Sequence, residues 1–520
     1  FGAAAGLIAG FVLAVTPVAT LMFRYNNPDA LLVFLIVAAA WALLRAVDDG
    51  RTRWLVCAGA LIGLGFLTKQ LQVMLVVPAL GVTYLVAGPV RLRARVCQLL
   101  AALAAMVVAA GWWVLLVSLV PAAQRPYVGG SADNSFIELT FGYNGLSRLT
   151  GHRPSAFPGP PGGHGFSFGS HAGALRLFTG ESGAQVSWLL PAALVFAAIG
   201  LLWCGRAART DARRAQYLLW GAWLVVAGVV FSFMSGTFHD YYTVVLAPPV
   251  AALVGIGTTQ LWTRRRTPWT RLVLALTVAG TAVWSWILLG RAPGFAPPLR
   301  WIVLTAGVVA AVALVVGLRR NAFRFTVAAA ALAAAVALAG PVAYSIQTVA
   351  TAHAGGIVNA GPPIPGARYG GRSGAVAERD WAGMGSTTVG AQMKQLLSAD
   401  AGAYTWVAAT DGANQAAGYQ LATCDAVMPI GGFSARDPSP TLAQFQRYVA
   451  DRRIHYYIEG RRPDARTGWG AGETDRSQRT VTEADKIGDW VKHTFTASTV
   501  DGATIYDLTR PAGAVSPHGM

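Results

Sequence analysis

Four ionisable or hydrogen-bonding side chains stand next to one another at residues 239–242, in the stretch FMSGTFHDYYTVVLAPPV. They are His239, Asp240, Tyr241 and Tyr242, and they separate two long apolar runs. If those runs cross a bilayer, the four groups lie at one depth, where they can bind an anion or exchange protons. They could instead form an interfacial belt with helix caps, because tyrosine is frequent at membrane surfaces and aspartate favours a helix N-terminus.

Three charged residues follow or precede other apolar runs. Lys69, in LTKQLQ, is the only lysine before residue 394. Its ammonium suits a phosphate, or its alkyl chain lets it snorkel to the interface; Arg24 has the same two interpretations. Asp29 opens an apolar run in NNPDALL, beside Arg24 and two amides. Asp29 could line a binding site, where it would be a candidate cation ligand. Alternatively, it only complements the dipole of its helix, with Asn27 as the N-cap.

Composition and charge predict a membrane protein with a separate polar domain. The chain is 54% hydrophobic and 12% charged, against about 25% charged in soluble domains. Residues 350–520 hold 16 basic and 16 acidic residues, so the net charge of +17 belongs entirely to residues 1–349. That basic excess lies between apolar runs, which favours membrane orientation over nucleic-acid binding. The four cysteines have no paired spacing, so no disulfide framework or zinc site is predicted.

Eleven apolar runs are candidates for membrane-spanning helices, since a bilayer core needs about 20 apolar residues or fewer when helices tilt. They are roughly 2–21, 30–46, 54–68, 71–88, 97–120, 187–204, 216–235, 242–262, 271–290, 300–318 and 324–346. The third and fourth meet at Thr68-Lys69-Gln70 and are predicted to form a tight pair.

Basic residues alternate between the connections. Every second connection is basic, with 17 Lys and Arg in total, whereas the other short connections hold only Arg24, Lys69, Arg291 and Arg300. Because cytoplasmic loops are enriched in Lys and Arg, this pattern predicts that the segment 121–186, the HDYY turn and the C-terminal third face the outside. Five of the eight acids of residues 1–349 then lie on the outer face: Asp29, Asp133, Glu138, Glu181 and Asp240.

The chain is predicted to contain two domains. Residues 1–349 form the membrane domain with its long outer loop 121–186, residues 350–375 form a linker, and residues 376–510 form an extracytoplasmic α/β domain. In the latter, YTWVAAT, AVMPIGGF and HYYIEG are typical of strands, and they alternate with two segments of helical spacing. This alternation predicts a parallel sheet. No glycine-rich nucleotide-binding signature occurs in it.

Several segments, in order along almost the whole chain, resemble actinobacterial members of glycosyltransferase family 39. They are FRYNNPDALLVFLIVAAAWALLRA, LTKQLQ, YVGGSADNSFIELTFGYNGLSRLTG and FSFMSGTFHDYYTVVLAPPVAALVGIG. This family has the GT-C architecture and includes protein mannosyltransferases and aminoarabinose transferases of lipid A. The C-terminal segments ATDGANQAAGYQLATCDAVMPIGGF and DPSPTLAQFQRYV resemble the extracytoplasmic domain of its bacterial mannosyltransferase-like branch.

The resemblance implies a plasma-membrane enzyme that moves a mannose- or arabinose-like sugar from a polyprenyl-phosphate donor. The acceptor would be an envelope protein or glycolipid at the outer face. It also implies a further helix and outer loop bearing the catalytic carboxylate, which would act as the general base. Because the chain starts after such a loop, we expect that carboxylate to lie N-terminal to Phe1. No cofactor is assigned, and a divalent cation stays open, with Asp29 as a candidate ligand.

The predicted donor-binding residues are Lys69, Arg24, Asp29, His239, Tyr241 and Tyr242, for the phosphate or the sugar. Asp240 is the member of the HDYY turn that departs from the family pattern. A second group, in the long loop, could bind sugar hydroxyls while Tyr143 stacks on a ring, or could satisfy its own polar groups in a folded loop. This group is Asp133, Asn134, Glu138, Tyr143, Asn144 and Arg148.

Two other classes of function are weighed against a transferase. A lipid or sugar transporter would need ionisable residues at mid-membrane and inverted repeats, and the sequence has neither. A non-catalytic membrane scaffold, whose outer domain binds envelope partners, is the other alternative.

Overall fold

The structure is a computed structural model that describes residues 1–122, 124–131, 133–150, 172–319, 323–353, 356–365, 389–433, 435–460 and 481–511. An N-terminal helical part precedes a C-terminal α/β domain. The predicted linker 350–375 lies outside the described residues from residue 366 onward. The predicted domain limits therefore stay predictions, whereas the fold class, a polytopic helical membrane protein with a C-terminal α/β domain, is confirmed.

The helical part consists of apolar helices joined mainly by short turns. Its helices are α1 (Ala3–Ala14), α2 (Pro17–Met22), α3 (Asp29–Asp49), α4 (Thr52–Lys69), α5 (Val77–Ala87), α6 (Leu92–Leu119), α7 (Phe136–Glu138), α8 (Ser147–Thr150), α9 (Gly180–Val186), α10 (Leu190–Cys204), α11 (Ala212–Phe233), α12 (Ala247–Thr263), α13 (Pro268–Gly290), α14 (Pro297–Arg319) and α15 (Phe323–Ala350). Tighter or wider helical turns occupy Gln70–Val76, Leu139–Leu146, Arg176–Phe178 and Asp240–Leu246.

The number of spans differs from the eleven runs of the sequence. Among the described residues, eight helical stretches are long and apolar enough to cross a membrane, or nine if the bent pair α9 and α10 is one span. The predicted span 2–21 is instead two short helices, because Pro17 cannot donate a backbone hydrogen bond and begins a new helix after Thr16. The predicted spans 54–68 and 71–88 form the single stretch Thr52–Ala87.

The chain nevertheless reverses direction within Thr52–Ala87. Gly50 precedes this stretch and Pro89 follows it. A Cβ atom added to Gly50 would lie 3.1 Å from the Pro89 side chain. Gln98, in the first turns of α6, donates a hydrogen bond of 2.9 Å to the Gly50 carbonyl. The two ends of the stretch are therefore neighbours, and the turn lies at Gln70, whose φ is 43° and ψ is −128°. This is the tight pair that the sequence predicts.

The basic connections lie together at one end of the helices. Arg209 donates to the carbonyl of Gly88, and the Arg264 guanidinium lies 4.5 Å from the centre of the Trp203 ring. The connections near residues 50, 90, 206 and 264 thus share one end, and Lys69 lies at the other, one helix length away along α4. The two ends of the helical part therefore differ in charge as the alternation of arginines predicts.

The C-terminal domain is a five-stranded sheet covered by helices. Its strands are β1 (Trp406–Asp411), β2 (Val427–Ile430), β3 (Ile454–Ile458), β4 (Phe495–Val500) and β5 (Ala503–Pro511), in the order β2-β1-β3-β5-β4. Its helices are α16 (Ala391–Ser398), α17 (Ala413–Thr423), α18 (Leu442–Ala450) and α19 (Glu483–Thr494).

The sheet is mixed, which corrects the prediction of a parallel sheet. Strands β1, β2 and β3 are parallel to each other, whereas β5 is antiparallel to both β3 and β4. The antiparallel hairpin turns at Asp501–Gly502, where both residues have positive φ. An Asp-Gly pair between alternating residues is a hairpin signal, which the prediction of a parallel sheet does not include.

The α/β domain contacts the long loop of the helical part. The backbone N–H of Gly130 donates a hydrogen bond of 2.9 Å to the Asp437 carboxylate. Burial raises the pKa of Asp437, while this hydrogen bond opposes the shift. In the segment that precedes the domain, the Ala360 N–H donates to the Gln185 side chain at 2.9 Å. The first contact joins the α/β domain, and the second joins the segment preceding it, to the end of the helical part that carries Lys69.

Candidate active site

A buried ion pair joins the first residue of α3 to the last residue of α4. The Lys69 ammonium contacts Asp29 Oδ2, and the Asp29 side chain has 0% exposure while that of Lys69 has 18%. The helix bounds explain the pairing, because α3 and α4 are antiparallel neighbours whose ends meet at one level. The N-cap of α3 is Pro28 and not Asn27 as the sequence suggests, although Asn27 Oδ1 accepts the Asp29 N–H at 3.1 Å.

Two tyrosine rings lie next to the Lys69 ammonium. Its Nζ is 5.2 Å from the ring centre of Tyr241 and 5.0 Å from that of Tyr242. The two rings are perpendicular, with centres 5.1 Å apart. At such distances the ring faces attract a cation, so the aromatic pair helps to hold a charged Lys69 where little water surrounds it.

His239 completes the aromatic group. Its imidazole stacks in parallel on Tyr241 at 5.2 Å and meets Tyr242 edge-on at 5.2 Å. Burial, followed by the positive charges of Arg148 and Lys69, lowers the pKa of His239 to about 3. The ring is therefore neutral at physiological pH and adds hydrogen-bonding capacity to the cluster without adding charge.

Arg148 reaches the same place from the long loop. Its guanidinium contacts the Tyr242 hydroxyl through Nη1 and donates through Nη2 to Asn144 Oδ1 at 2.9 Å. The Gly236 N–H donates to the Arg148 carbonyl at 3.1 Å, which fixes the loop against the segment leading to His239. We call Asp29, Lys69, Arg148, His239, Tyr241 and Tyr242 the Lys69 cluster.

Asp240 does not face the Lys69 cluster. Its carboxylate accepts a hydrogen bond from the Ser182 hydroxyl, at the start of α9, and it is 5% exposed. It also interacts electrostatically with Arg176 and Glu181. The four residues of the HDYY turn are thus divided between two sides of the turn Asp240–Leu246.

A second buried network, which the sequence analysis did not single out, lies behind that turn. Arg176 is 2% exposed and donates to the carbonyls of Phe231, at 2.9 Å, and Met234, at 2.7 Å. Its guanidinium also lies 4.8 Å from the centre of the Phe238 ring. Arg176 therefore links the C-terminal end of α11 to Phe238, which directly precedes the HDYY turn.

Two segments of the chain match described families. Residues 1–114 match "Dolichyl-phosphate-mannose-protein mannosyltransferase", and residues 393–494 match "Putative mannosyltransferase YkcB-like, C-terminal". The chain is also 31% identical over 547 residues to "Putative mannosyltransferase YkcB" of Bacillus subtilis (strain 168), with 88% of this chain and 74% of that protein covered. The chain belongs to the YkcB-like mannosyltransferase family.

Other similar proteins include a second relative and one solved fold. "Putative mannosyltransferase YycA" of Bacillus subtilis (strain 168) is 28% identical over 538 residues, covering 88% of this chain and 76% of that protein. Crystal structures of ArnT from Cupriavidus metallidurans, bound to undecaprenyl phosphate and in the apo state, give TM-scores of 0.48 and 0.43. Each is 15% identical and covers 98% of this chain and 79% of the ArnT chain.

The predicted donor residues of this YkcB-like chain are brought together with one exception. Five of them lie in the Lys69 cluster: Asp29, Lys69, His239, Tyr241 and Tyr242. Arg24 is exposed instead, one short turn before α3. Its position favours the interfacial interpretation, because an exposed arginine at the end of an apolar helix keeps its guanidinium in water.

The predicted loop group of the same YkcB-like chain is divided. Arg148 and Asn144 reach the cluster, as described above. Asn134 instead accepts the Val128 N–H at 2.8 Å and has a φ of 59°, so it holds its own loop. Asp133 is exposed, the Glu138 N–H is capped by Ser135, and the Tyr143 side chain lies outside the described residues.

Metal binding stays untested for the YkcB-like chain. Among the described residues, no three His, Cys, Asp or Glu side chains are grouped as metal ligands would be. Asp29, the candidate cation ligand, has the Lys69 ammonium against one of its two oxygens. The expectation that a catalytic carboxylate precedes Phe1 also stays a prediction.

Proposed function

We propose that this chain transfers a mannose- or arabinose-like sugar from a polyprenyl-phosphate donor to an envelope protein or glycolipid at the outer face of the plasma membrane. The observation that supports the proposal most is the Lys69 cluster itself. A lysine, an arginine, two tyrosines and a neutral histidine converge at the ends of apolar helices. That combination suits a phosphate whose lipid tail lies between the helices.

The charge of the cluster fits a phosphodiester. Lys69 and Arg148 supply two positive charges and Asp29 one negative charge, which leaves a net charge of +1. His239 is neutral, since its pKa is lowered to about 3. The sugar–phosphate–lipid linkage carries one negative charge, so binding of the donor neutralises the cluster without an added cation.

The same groups would assist the reaction. The bond between the anomeric carbon and the phosphate oxygen breaks, and the acceptor oxygen forms a new bond to that carbon. The acceptor proton passes to a base, and the lipid phosphate leaves as a monoester with up to two negative charges. Because charge grows on the leaving phosphate, cations and donors placed around it stabilise the transition state more than the bound donor.

The placement at the outer face is supported by charge and by the domain contacts. The arginine-rich connections lie at the end of the helices opposite Lys69, as expected for a cytoplasmic end. At the Lys69 end, the α/β domain contacts the long loop through Asp437, and the segment preceding the domain contacts Gln185. We therefore propose that this domain is extracytoplasmic and lies beside the path by which an acceptor approaches.

The test is a transfer assay with the full-length protein in membranes, using radiolabelled polyprenyl-phosphate mannose and the endogenous envelope acceptors. We expect Lys69→Ala to lower transfer at least a hundredfold, because it removes a charge that acts on the leaving phosphate. Lys486→Ala is the matched control, since Lys486 is half-exposed and pairs with Glu483 in the α/β domain. Transfer that is unaffected by Lys69→Ala would contradict the proposal.

A further inference from the structure

Three buried polar atoms near the turn that follows α4 have no hydrogen-bond partner among the described residues. They are Oδ1 of Asp29, Oε1 of Gln70 and Nε2 of Gln72. A buried polar group that lacks a partner loses the stabilisation it would gain from water. Such groups are rare in folded proteins, and each calls for an explanation such as a missing ligand.

Asp29 makes the strongest case of the three. Its side chain has 0% exposure, and only Oδ2 is engaged, by Lys69. The other oxygen of this fully buried carboxylate therefore keeps free acceptor capacity next to the ammonium group. A ligand that approaches Lys69 with a negative phosphate would bring the adjoining part of its structure to this oxygen.

Gln70 immediately follows Lys69 and has an unusual backbone. Its φ of 43° with a ψ of −128° is a conformation that residues other than glycine rarely adopt. Strain of this kind is concentrated at binding and catalytic sites, where the side chain or its neighbours must be held in a given place. A glycine would satisfy the turn with less strain, so the glutamine side chain has a purpose other than forming the turn.

We propose that Gln70 and Gln72, together with Oδ1 of Asp29, bind the ring hydroxyls of the donor sugar. This inference rests on the proposed function. A sugar hydroxyl both donates and accepts, so it can donate to the Asp29 and Gln70 oxygens and accept from the Gln72 amide. The turn after α4 would then have two parts: Lys69 binds the phosphate common to all polyprenyl donors, and the glutamines bind what distinguishes one sugar from another.

The experiment compares two lipids on the purified full-length protein: polyprenyl phosphate, which lacks a sugar, and polyprenyl-phosphate mannose. Gln70→Gly removes the side chain while fitting the backbone of the turn, so it preserves folding. We expect this variant and Gln72→Ala to weaken binding of the mannose lipid about tenfold, the effect of one or two lost hydrogen bonds. Binding of the sugar-free lipid should not change.

Two further variants make the result decisive. Lys69→Ala should weaken the binding of both lipids equally. If it weakens the binding of neither lipid, the proposed function fails. Gln347→Ala is the control, because its amide already donates to Thr351 within the protein, and it should leave both affinities unchanged. Suppose that Lys69→Ala weakens the binding of both lipids, but Gln70→Gly changes the affinity for neither lipid or lowers both affinities equally. The inference about sugar recognition is then overturned, while the proposed function stands.

Discussion

The guanidinium of Arg176 lies 4.8 Å from the ring centre of Phe238. Phe238 in turn meets Tyr242 edge-on, with 6.1 Å between the ring centres. Arg176 is therefore connected to the Lys69 cluster through one aromatic ring, although it belongs to a segment remote in sequence. Arg176 also donates to two carbonyls at the end of α11. It therefore fixes the position at which the chain enters the HDYY turn.

Replacing Arg176 should therefore affect stability more than an exposed arginine does. We expect Arg176→Leu to lower the free energy of unfolding by about 3 kcal/mol, because two buried carbonyls lose a charged donor. Thermal unfolding in detergent measures the effect, with the exposed Arg266→Leu as control. Equal stability of the two variants would show that Arg176 does not hold the end of α11.

Variants of the Asp29–Lys69 pair distinguish a structural role of the pair from a functional one. Asp29→Asn leaves the Lys69 ammonium buried without its counter-charge, so we expect a loss of about 3 kcal/mol in unfolding free energy. The double variant Asp29→Asn with Lys69→Met removes both charges and should regain most of that stability. Sugar transfer should stay low in the double variant, since the phosphate then has no lysine to bind. Recovery of transfer together with stability would assign the pair a purely structural role.

The lowered pKa of His239 makes a prediction about pH. The folded-state pKa is about 3, whereas an unfolded histidine titrates near 6.5. The unfolded chain therefore binds a proton at pH values where the folded chain does not, and stability falls as the pH decreases from about 6.5 toward 3. The slope for one such group is about 1.4 kcal/mol per pH unit. His239→Phe, which keeps a ring to stack on Tyr241, should lose this part of the pH dependence, and an unchanged slope would contradict the burial of a neutral imidazole.

The contact between Gly130 and Asp437 predicts a specific crosslink. A Cβ atom on the neighbouring Gly129 would lie 3.5 Å from an Asp437 carboxylate oxygen. We expect Gly129→Cys with Asp437→Cys to form a disulfide on mild oxidation, detected by a mobility shift that reductant reverses. Gly129→Cys with Leu421→Cys is the control, because Leu421 is exposed on the α/β domain. Equal crosslinking in both pairs would mean that the domain does not rest on this loop.

Much of the architecture follows from the sequence because apolar length and arginine placement act locally. The reversal at Gln70 and the grouping of the basic connections depend only on where apolar runs stop, and both were predicted. The meeting of Lys69 with Tyr241 and Tyr242 was expected from their common level in the membrane, and the structure brings them within contact distance. The chemical roles of the residues in the Lys69 cluster stay predictions.

The remaining features depend on packing between segments far apart in sequence. Asp240 adjoins His239 and Tyr241 in the chain, yet the tight helical turn directs it toward Ser182. Arg176 follows a glycine- and proline-rich stretch, and its burial arises from carbonyls more than 50 residues away, at Phe231 and Met234. The break before Pro17 carried a local signal, since proline begins helices, and that signal was missed. The same holds for the Asp501–Gly502 hairpin.

The proposal depends most on the side of the membrane at which the Lys69 cluster lies. The direct measurement is labelling of single cysteines in intact cells with a membrane-impermeant maleimide, after replacement of the four native cysteines. Asp133→Cys, in the long loop that also carries Arg148, and Leu421→Cys, in the α/β domain, should react without permeabilisation. Arg266→Cys, at the arginine-rich end, should react only after permeabilisation. Labelling of Arg266→Cys alone in intact cells would place the cluster at the cytoplasmic face and contradict an outer-face transferase.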